Sequence, residues 1–198
     1  MSVRIPTQKR SVDKKNKIIK KGFELMCEKG YFNTTTNDIA DYCGVSTGII
    51  YQYFNDKKDI FIEGVKCYSS DIMYPMIHIL ETEKIEIKDF KTLICSVIDQ
   101  YIHSHNISKR AHEELLAMSC LDEDVAEIFR NAELLMTDKI VTLLNYNGVN
   151  TPNLREKIHI IIGIVDNFCH EVVYHKHDSL DYHAMKEEVI QLIIKTLE

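Results

Sequence analysis

Apolar residues return every three or four positions along most of this chain, a pattern that predicts helices almost throughout. Across residues 12–29, Ile18, Ile19, Gly22, Phe23 and Met26 share one face while lysines crowd the other. Gly30 supplies a left-handed stop. Thr35 and Asp38 have the spacing of a capping box and open a short helix to about Cys43. Gly44-Val45-Ser46 then reads as a turn, with Ser46 capping the helix that follows. Asp56 caps the next, which starts at Lys57 and ends near Met73 or Tyr74, because Pro75 disfavours helix in the residue before it. After a loop at 82–88 the helical period covers about 88–105, 108–119, 122–146, 153–176 and 181–197, punctuated by Asn147-Gly148 and Thr151-Pro152. Strand-like alternation is absent, and no repeat of roughly 20 to 50 residues argues for a solenoid. The expected fold is all-α.

Charge sharpens that picture. Residues 1–66 hold 12 Lys/Arg against 8 Asp/Glu (+4), and residues 67–198 hold 12 against 22 (−10), within a net charge of −6. The first 21 residues carry eight basic side chains and one acid, so a polyanion partner is expected at the N-terminal end only. A solvated arm is the competing reading of the same charges. The N-terminus is polar and lacks the apolar core of a signal peptide. The longest apolar run, Ile160 to Val165, is far short of the roughly 20 residues of a spanning helix, so no membrane partner is expected. Six cysteines without a C-x-x-C pair sit in apolar helical patterns, which suits a reducing cytoplasm.

Two short helices around a glycine-containing turn, in a basic region, describe a helix-turn-helix. Ala40 is small where the two helices cross, and Val45, Ile50 and Phe54 fall on one inward face. The run GYFNTTTNDIADYCGVSTGIIYQYFNDKKDIF, Gly30 to Phe61, resembles the DNA-binding domain of the TetR (tetracycline-repressor-like) family of transcriptional regulators. The residues that carry the resemblance are Gly30-Tyr31, Thr34-Thr35, Ile39-Ala40, Gly44-Val45-Ser46, Gly48, Ile50-Tyr51, Tyr53-Phe54 and Lys57. Cys43 stands where the family often has alanine, and Lys58 where an acid is common, adding positive charge near DNA. The resemblance implies an N-terminal three-helix helix-turn-helix DNA-binding domain over 1–60 and a C-terminal helical effector-binding and dimerisation domain over 61–198.

In that frame Thr47, Gly48 and Ile49 occupy the exposed first turn of the recognition helix, the end that enters the major groove. Gly48 allows close backbone approach, Thr47 can bond a base edge or phosphate, and Ile49 can pack on a thymine methyl. Gln52 is the best direct reader, since its amide can pair with adenine. Tyr51 and Tyr53 resemble the family's phosphate-facing tyrosines, with plain packing as the alternative role. Lys57, in the first turn of its helix, is unfavourable to the macrodipole unless an anion is close, and a phosphate would supply one. Thr35, at the start of the second helix, offers another phosphate seat.

For the remainder, the segments Ile158 to Tyr174 and Met185 to Glu198 are apolar beyond one contact face, which implies helices buried on more than one side. By resemblance they form the four-helix bundle of a homodimer that reads palindromic double-stranded DNA. The family also implies a pocket for a small hydrophobic or cationic effector. Polar or soft residues set in apolar helix are its candidates: Asp99, Tyr101, His112, Met118, Phe129, Met136, Asp166, Phe168 and His170. Asp166 follows Ile-Gly-Ile-Val, where an acid is costly to bury unless paired or facing a polar cavity.

Enzyme and metal chemistry are not expected, nor is a cofactor. His170 and His175 in HEVVYH are five apart, about 140° around a helix, against about 40° for the H-E-x-x-H of a metallopeptidase. His103-x-His105 and His175-x-His177 lack a third ligand by spacing. The expected function is a ligand-responsive DNA-binding regulator, with repression as its direction. The alternative is a helix-turn-helix regulator with no small-molecule effector, controlled by a protein partner.

Overall fold

The computed structural model describes residues 7–82, 90–105 and 107–197. The expected loop at 82–88 lies almost wholly outside them, as does Arg4 of the basic arm. Among the described residues the elements are α1 (Lys9–Lys29), α2 (Thr36–Cys43), α3 (Thr47–Tyr53), α4 (Lys57–Thr82), α5 (Phe90–Ser104), α6 (Lys109–Leu121), α7 (Glu123–Tyr146), α8 (Leu154–Tyr174) and α9 (Tyr182–Leu197). Contacts divide the chain into one unit of Met1–Ser69 with Ile107–Phe129 and another of Ser70–Asn106 with Arg130–Glu198. The division at Ser69 lies beyond the 60/61 boundary drawn from sequence, and it assigns α6 to the N-terminal unit.

In the N-terminal unit the apolar faces of α1, α2 and α3 close on α6 and the first part of α4. Ile18, Met26, Ile39, Ile50, Phe54, Ile60 and Phe61 are buried there together with Ala111, Leu115 and Met118 of α6. Two start signals and one stop hold their helices. Thr35 accepts from Asp38 N while Asp38 accepts from Thr35 N, a complete capping box. Asp56 Oδ1 accepts from Lys58 N at 2.8 Å and Asp59 N at 3.2 Å. Gly44 ends α2 at φ 68, ψ 41, the left-handed conformation the turn requires.

Some local expectations are corrected. Ser46 stands at the N-cap of α3, but its side chain makes no capping bond. Gly30 ends α1 at φ 98, ψ 137, a positive φ that is not the left-handed helical well. The backbone of α4 stays helical through Pro75 to Thr82; the proline forgoes one N–H bond, which a helix of 26 residues outlasts.

In the C-terminal unit α8 packs on α5 and α9, and Ile94, Ile98, Phe168, Cys169, Ile190 and Ile193 form their common core. Leu144, Leu154 and Ile158 make a second cluster where α7 ends and α8 begins. Lys91–Glu187 and Lys186–Asp99 ion pairs, at 2.7 and 2.6 Å, tie α5 to α9. Within one chain α8 is not covered all round: Ile160 is 60% exposed, and Leu192 on α9 is 47% exposed. Among the described residues no helix is long and apolar enough to cross a membrane.

Candidate functional site

The sequence of α3 sorts its side chains into two faces. Ile50 and Tyr53, with Phe54 just beyond, are buried at 0%, 5% and 2% exposure, so the helix is anchored along one side. Gly48, Tyr51 and Gln52 are exposed on the other, and Thr47 and Ile49 are partly exposed. Thr47 Oγ1 donates to Asn37 Oδ1 at 3.0 Å, linking α3 to the helix before it. Ile49 packs in part against the core. An open hollow between α1 and the turn is lined by Lys14, Lys17, Val45, Ser46 and Ile49 among others, so two ammonium groups flank the start of α3.

Three residues assigned to phosphate have structural work of their own. Tyr53 is turned inward, its ring among the core residues; packing, the alternative reading, describes its position. Lys57 Nζ donates to the carbonyls of Tyr31 at 2.6 Å and Thr34 at 2.8 Å, and lies 4.4 Å from the centre of the Tyr31 ring. It thereby closes the loop between α1 and α2, and partial burial draws its pKa below the ordinary lysine value. Thr35 spends its side chain on Asp38. Those hydrogen bonds, and then Lys29 at 2.9 Å, hold the Asp38 carboxyl well below the usual carboxylate range.

Lys58 also departs from expectation. Its ammonium lies 2.8 Å from Asp122 and 2.7 Å from Asp124, so it does not add net positive charge to the recognition surface. The hydrogen bonds it donates to these carboxylates raise its pKa. Sequence reasoning missed this junction because the partners are more than 60 residues away, and only the packing of α6 on α1 brings them close.

Residues 18–63, which hold this buried and exposed pattern, match the family described as bacterial regulatory proteins, tetR family. Over that stretch the chain is similar to the TetR family. The HTH-type transcriptional regulator HbdR of Aromatoleum sp. (strain CIB) is 44% identical over 54 residues, 27% of this chain and 24% of HbdR. IcaR of Staphylococcus aureus (strain Newman), a negative transcriptional regulator of the biofilm operon icaADBC, is 42% identical over 53 residues, 27% of this chain and 28% of IcaR. The chain thus spans about a quarter of the length of each of these curated relatives. Two solved structures share the fold of this chain over nearly its full length. One, from Mesorhizobium loti MAFF303099 and assigned to the TetR family, has 18% identity, covers 96% of both chains and gives a TM-score of 0.70. The other, assigned as a transcriptional regulator from Saccharomonospora viridis and solved in complex with choline, has 16% identity, covers 92% and 96%, and gives 0.69. The relatives matched over this stretch are regulators of transcription by name.

The nine effector candidates do not share one place. His112 and Met118 are buried in the N-terminal unit, and Phe129 packs against its core. Met136 is buried in α7, Phe168 sits in the apolar core of the C-terminal unit, and Asp99 is exposed beside Lys186. Tyr101, Asp166 and His170 do meet, across α5 and α8. The Tyr101 hydroxyl donates to Asp166 Oδ1. Asp166 Oδ2 lies 3.3 Å from His170 Nδ1, and His170 Nε2 lies 3.1 Å from Nε2 of His105, a ring only 6% exposed. His105 Nδ1 bonds the Tyr101 carbonyl at 2.8 Å. Burial pushes the His170 pKa down, with His105 and His175 adding to that effect and Asp166 opposing it. One donor atom from each of His105, Asp166 and His170 lies within 4.8 Å of the others. Spacing paired His105 with His103 and offered no third ligand, because the partners it meets are 65 residues away for His170 and nearly as far for Asp166.

Proposed function

We propose that this chain is a ligand-responsive DNA-binding regulator of transcription. In this reading it is a repressor that holds a palindromic operator as a homodimer and leaves it when a small hydrophobic or cationic effector binds. The observation that carries the reading is the two-faced recognition helix: Gly48, Tyr51 and Gln52 stand out to solvent from a helix anchored by Ile50, Tyr53 and Phe54. Thr47, Gly48 and Ile49 meet the groove, Gln52 reads a base edge, and Tyr51 reaches the phosphates. The amide end of α2 beside Thr35 seats a second phosphate. Tyr53 contributes by anchoring α3. Lys57 holds its carbonyls with two N–H groups, and the third is the one available to phosphate.

Repression is favoured by the likeness to IcaR, a negative regulator by name. A cationic effector is favoured by the choline complex of a structural neighbour and by Asp166 beside Tyr101 and His170. The uncovered apolar side chains Ile160 and Leu192 support pairing of two chains through α8 and α9. The reading places the protein in the cytoplasm, where its six free thiols remain reduced.

A mobility-shift series on duplex from the chain's own upstream region tests it, with random duplex as the comparison. Gln52→Ala should relax sequence preference by about 1 to 3 kcal/mol. Tyr51→Phe should weaken binding to both duplexes alike. Equal affinities for both variants and the parent would sink the assignment, and a monomer by light scattering at micromolar concentration would sink the dimer.

A further inference from the structure

The His105–His170–Asp166 cluster is short of one positive charge. A carbonyl only accepts, so the bond to the Tyr101 carbonyl fixes the ring proton of His105 on Nδ1 and leaves a lone pair on Nε2. That lone pair faces His170 Nε2 at 3.1 Å, while His170 Nδ1 faces Asp166 Oδ2 at 3.3 Å. A neutral His170 has one N–H for these two directions. With the proton on Nε2, a lone pair confronts a carboxylate. With the proton on Nδ1, two imidazole lone pairs converge on one point. A metal ion at the point where the two Nε2 atoms converge takes up both lone pairs.

The distances fit an ion. Two nitrogens each about 2.0 to 2.1 Å from a tetrahedral zinc stand about 3.3 Å apart, and the two Nε2 atoms are 3.1 Å apart. Asp166 lies one helical turn before His170 on α8, with its Oδ2 now against His170 Nδ1. The three donor atoms lie within 4.8 Å of one another, so the carboxylate must draw in by up to about 1.5 Å to reach the spacing of tetrahedral ligands. Tyr101 supplies the outer bonds, its carbonyl orienting His105 and its hydroxyl holding Asp166. Such partners set the tautomer and direction of metal-binding imidazoles. Two imidazoles and a carboxylate select zinc, nickel, cobalt or iron(II) over magnesium and calcium.

We infer that His105, His170 and Asp166 form a mononuclear site for a divalent transition metal ion, and that this ion is the cationic effector of the regulator. The second half of that inference rests on the DNA-binding function proposed above.

The first arm of the test uses the full chain, stripped with chelator and free of DNA, titrated with ZnCl2 by calorimetry and with CoCl2 by visible absorption. One ion should bind per chain, with no thiolate charge-transfer band, which sets aside the exposed Cys67 and Cys120. His105→Ala and His170→Ala should lose the site. Asp166→Asn, nearly the same shape, should weaken it at least about tenfold, and Tyr101→Phe, at a positioning residue, by about 10- to 100-fold. His103→Ala, at an exposed position, should bind as the parent does. Melting curves of the stripped proteins separate loss of ligand from loss of fold: zinc should raise the Tm of the parent and of His103→Ala and leave the Tm of folded His105→Ala and His170→Ala unmoved. No binding by the parent, a thiolate band, or parent-like affinity in both His105→Ala and Asp166→Asn overturns the metal site and leaves the DNA-binding function standing. In the second arm, zinc should change the parent's affinity for its upstream duplex by at least about fivefold and leave Asp166→Asn unresponsive. Metal binding without that change overturns the effector half. A chain that binds no duplex either stripped or zinc-loaded overturns the DNA-binding function, while the metal titration keeps its own answer.

Discussion

Lysine at position 57 shows how one residue can serve fold and function together. Its charge is placed against two carbonyls and the face of Tyr31, so the loop that delivers α2 depends on it. Lys57→Met keeps the aliphatic stem and removes the donors. Hydrogen bonds of this charged kind contribute about 1.5 to 3 kcal/mol, and the variant should unfold at lower denaturant by an amount in that range, even with no DNA present. An unchanged midpoint would mean that solvent satisfies the two carbonyls equally well. From sequence, the lysine showed only as a charge at the wrong end of a helix dipole. Its partners come from the loop closed by the packing of α1, which no spacing along the chain displays. Tyr53 is the converse case: its period with Ile50 and Phe54 places it inward, and the resemblance to phosphate-facing tyrosines pulls the other way.

Helices were legible because their signals are local. Capping pairs and apolar faces lie within one or two turns, and the observed starts at Thr36, Thr47 and Lys57 follow Thr35, Ser46 and Asp56. The α2 cap makes a pH prediction. Asp38 has a folded pKa below its unfolded value, so its contribution is present above the unfolded carboxylate pKa, about 3.9, and is lost as pH falls toward the folded value. The stability gap between parent and Asp38→Asn should be constant above about pH 5 and narrow below about pH 4, read from urea midpoints. Close crossings were less legible. A Cβ at Gly64 would come within 2.4 Å of Phe23 Cγ, so α4 meets α1 at a point where no side chain fits. Gly64→Ala should cost about 1 to 3 kcal/mol through forced repacking, measured by thermal unfolding. A variant as stable as the parent would show that Phe23 yields freely.

At the scale of the molecule, the helix-turn-helix is not self-contained. Leu115 is 3% exposed in the core that also holds Phe23, Tyr31 and Phe61, and Glu114 Oε1 accepts from Tyr31 N at 2.6 Å. Leu115→Ala should therefore remove about 2 to 5 kcal/mol and speed amide exchange in α1 and α2, although it lies more than 60 residues beyond the end of α3. Exchange confined to the C-terminal unit would count against this coupling. The sequence alone determined the all-α class, the order of helices, the helix-turn-helix and its outward face, because these rest on periods, caps and turns within a few residues of one another. Tertiary structure alone decided that α6 completes the N-terminal core, that Lys58 is neutralised by Asp122 and Asp124, and that His105 joins Tyr101, Asp166 and His170. Those contacts join residues tens of positions apart, and a pattern read along the chain carries no measure of which distant faces will meet when apolar surface is buried.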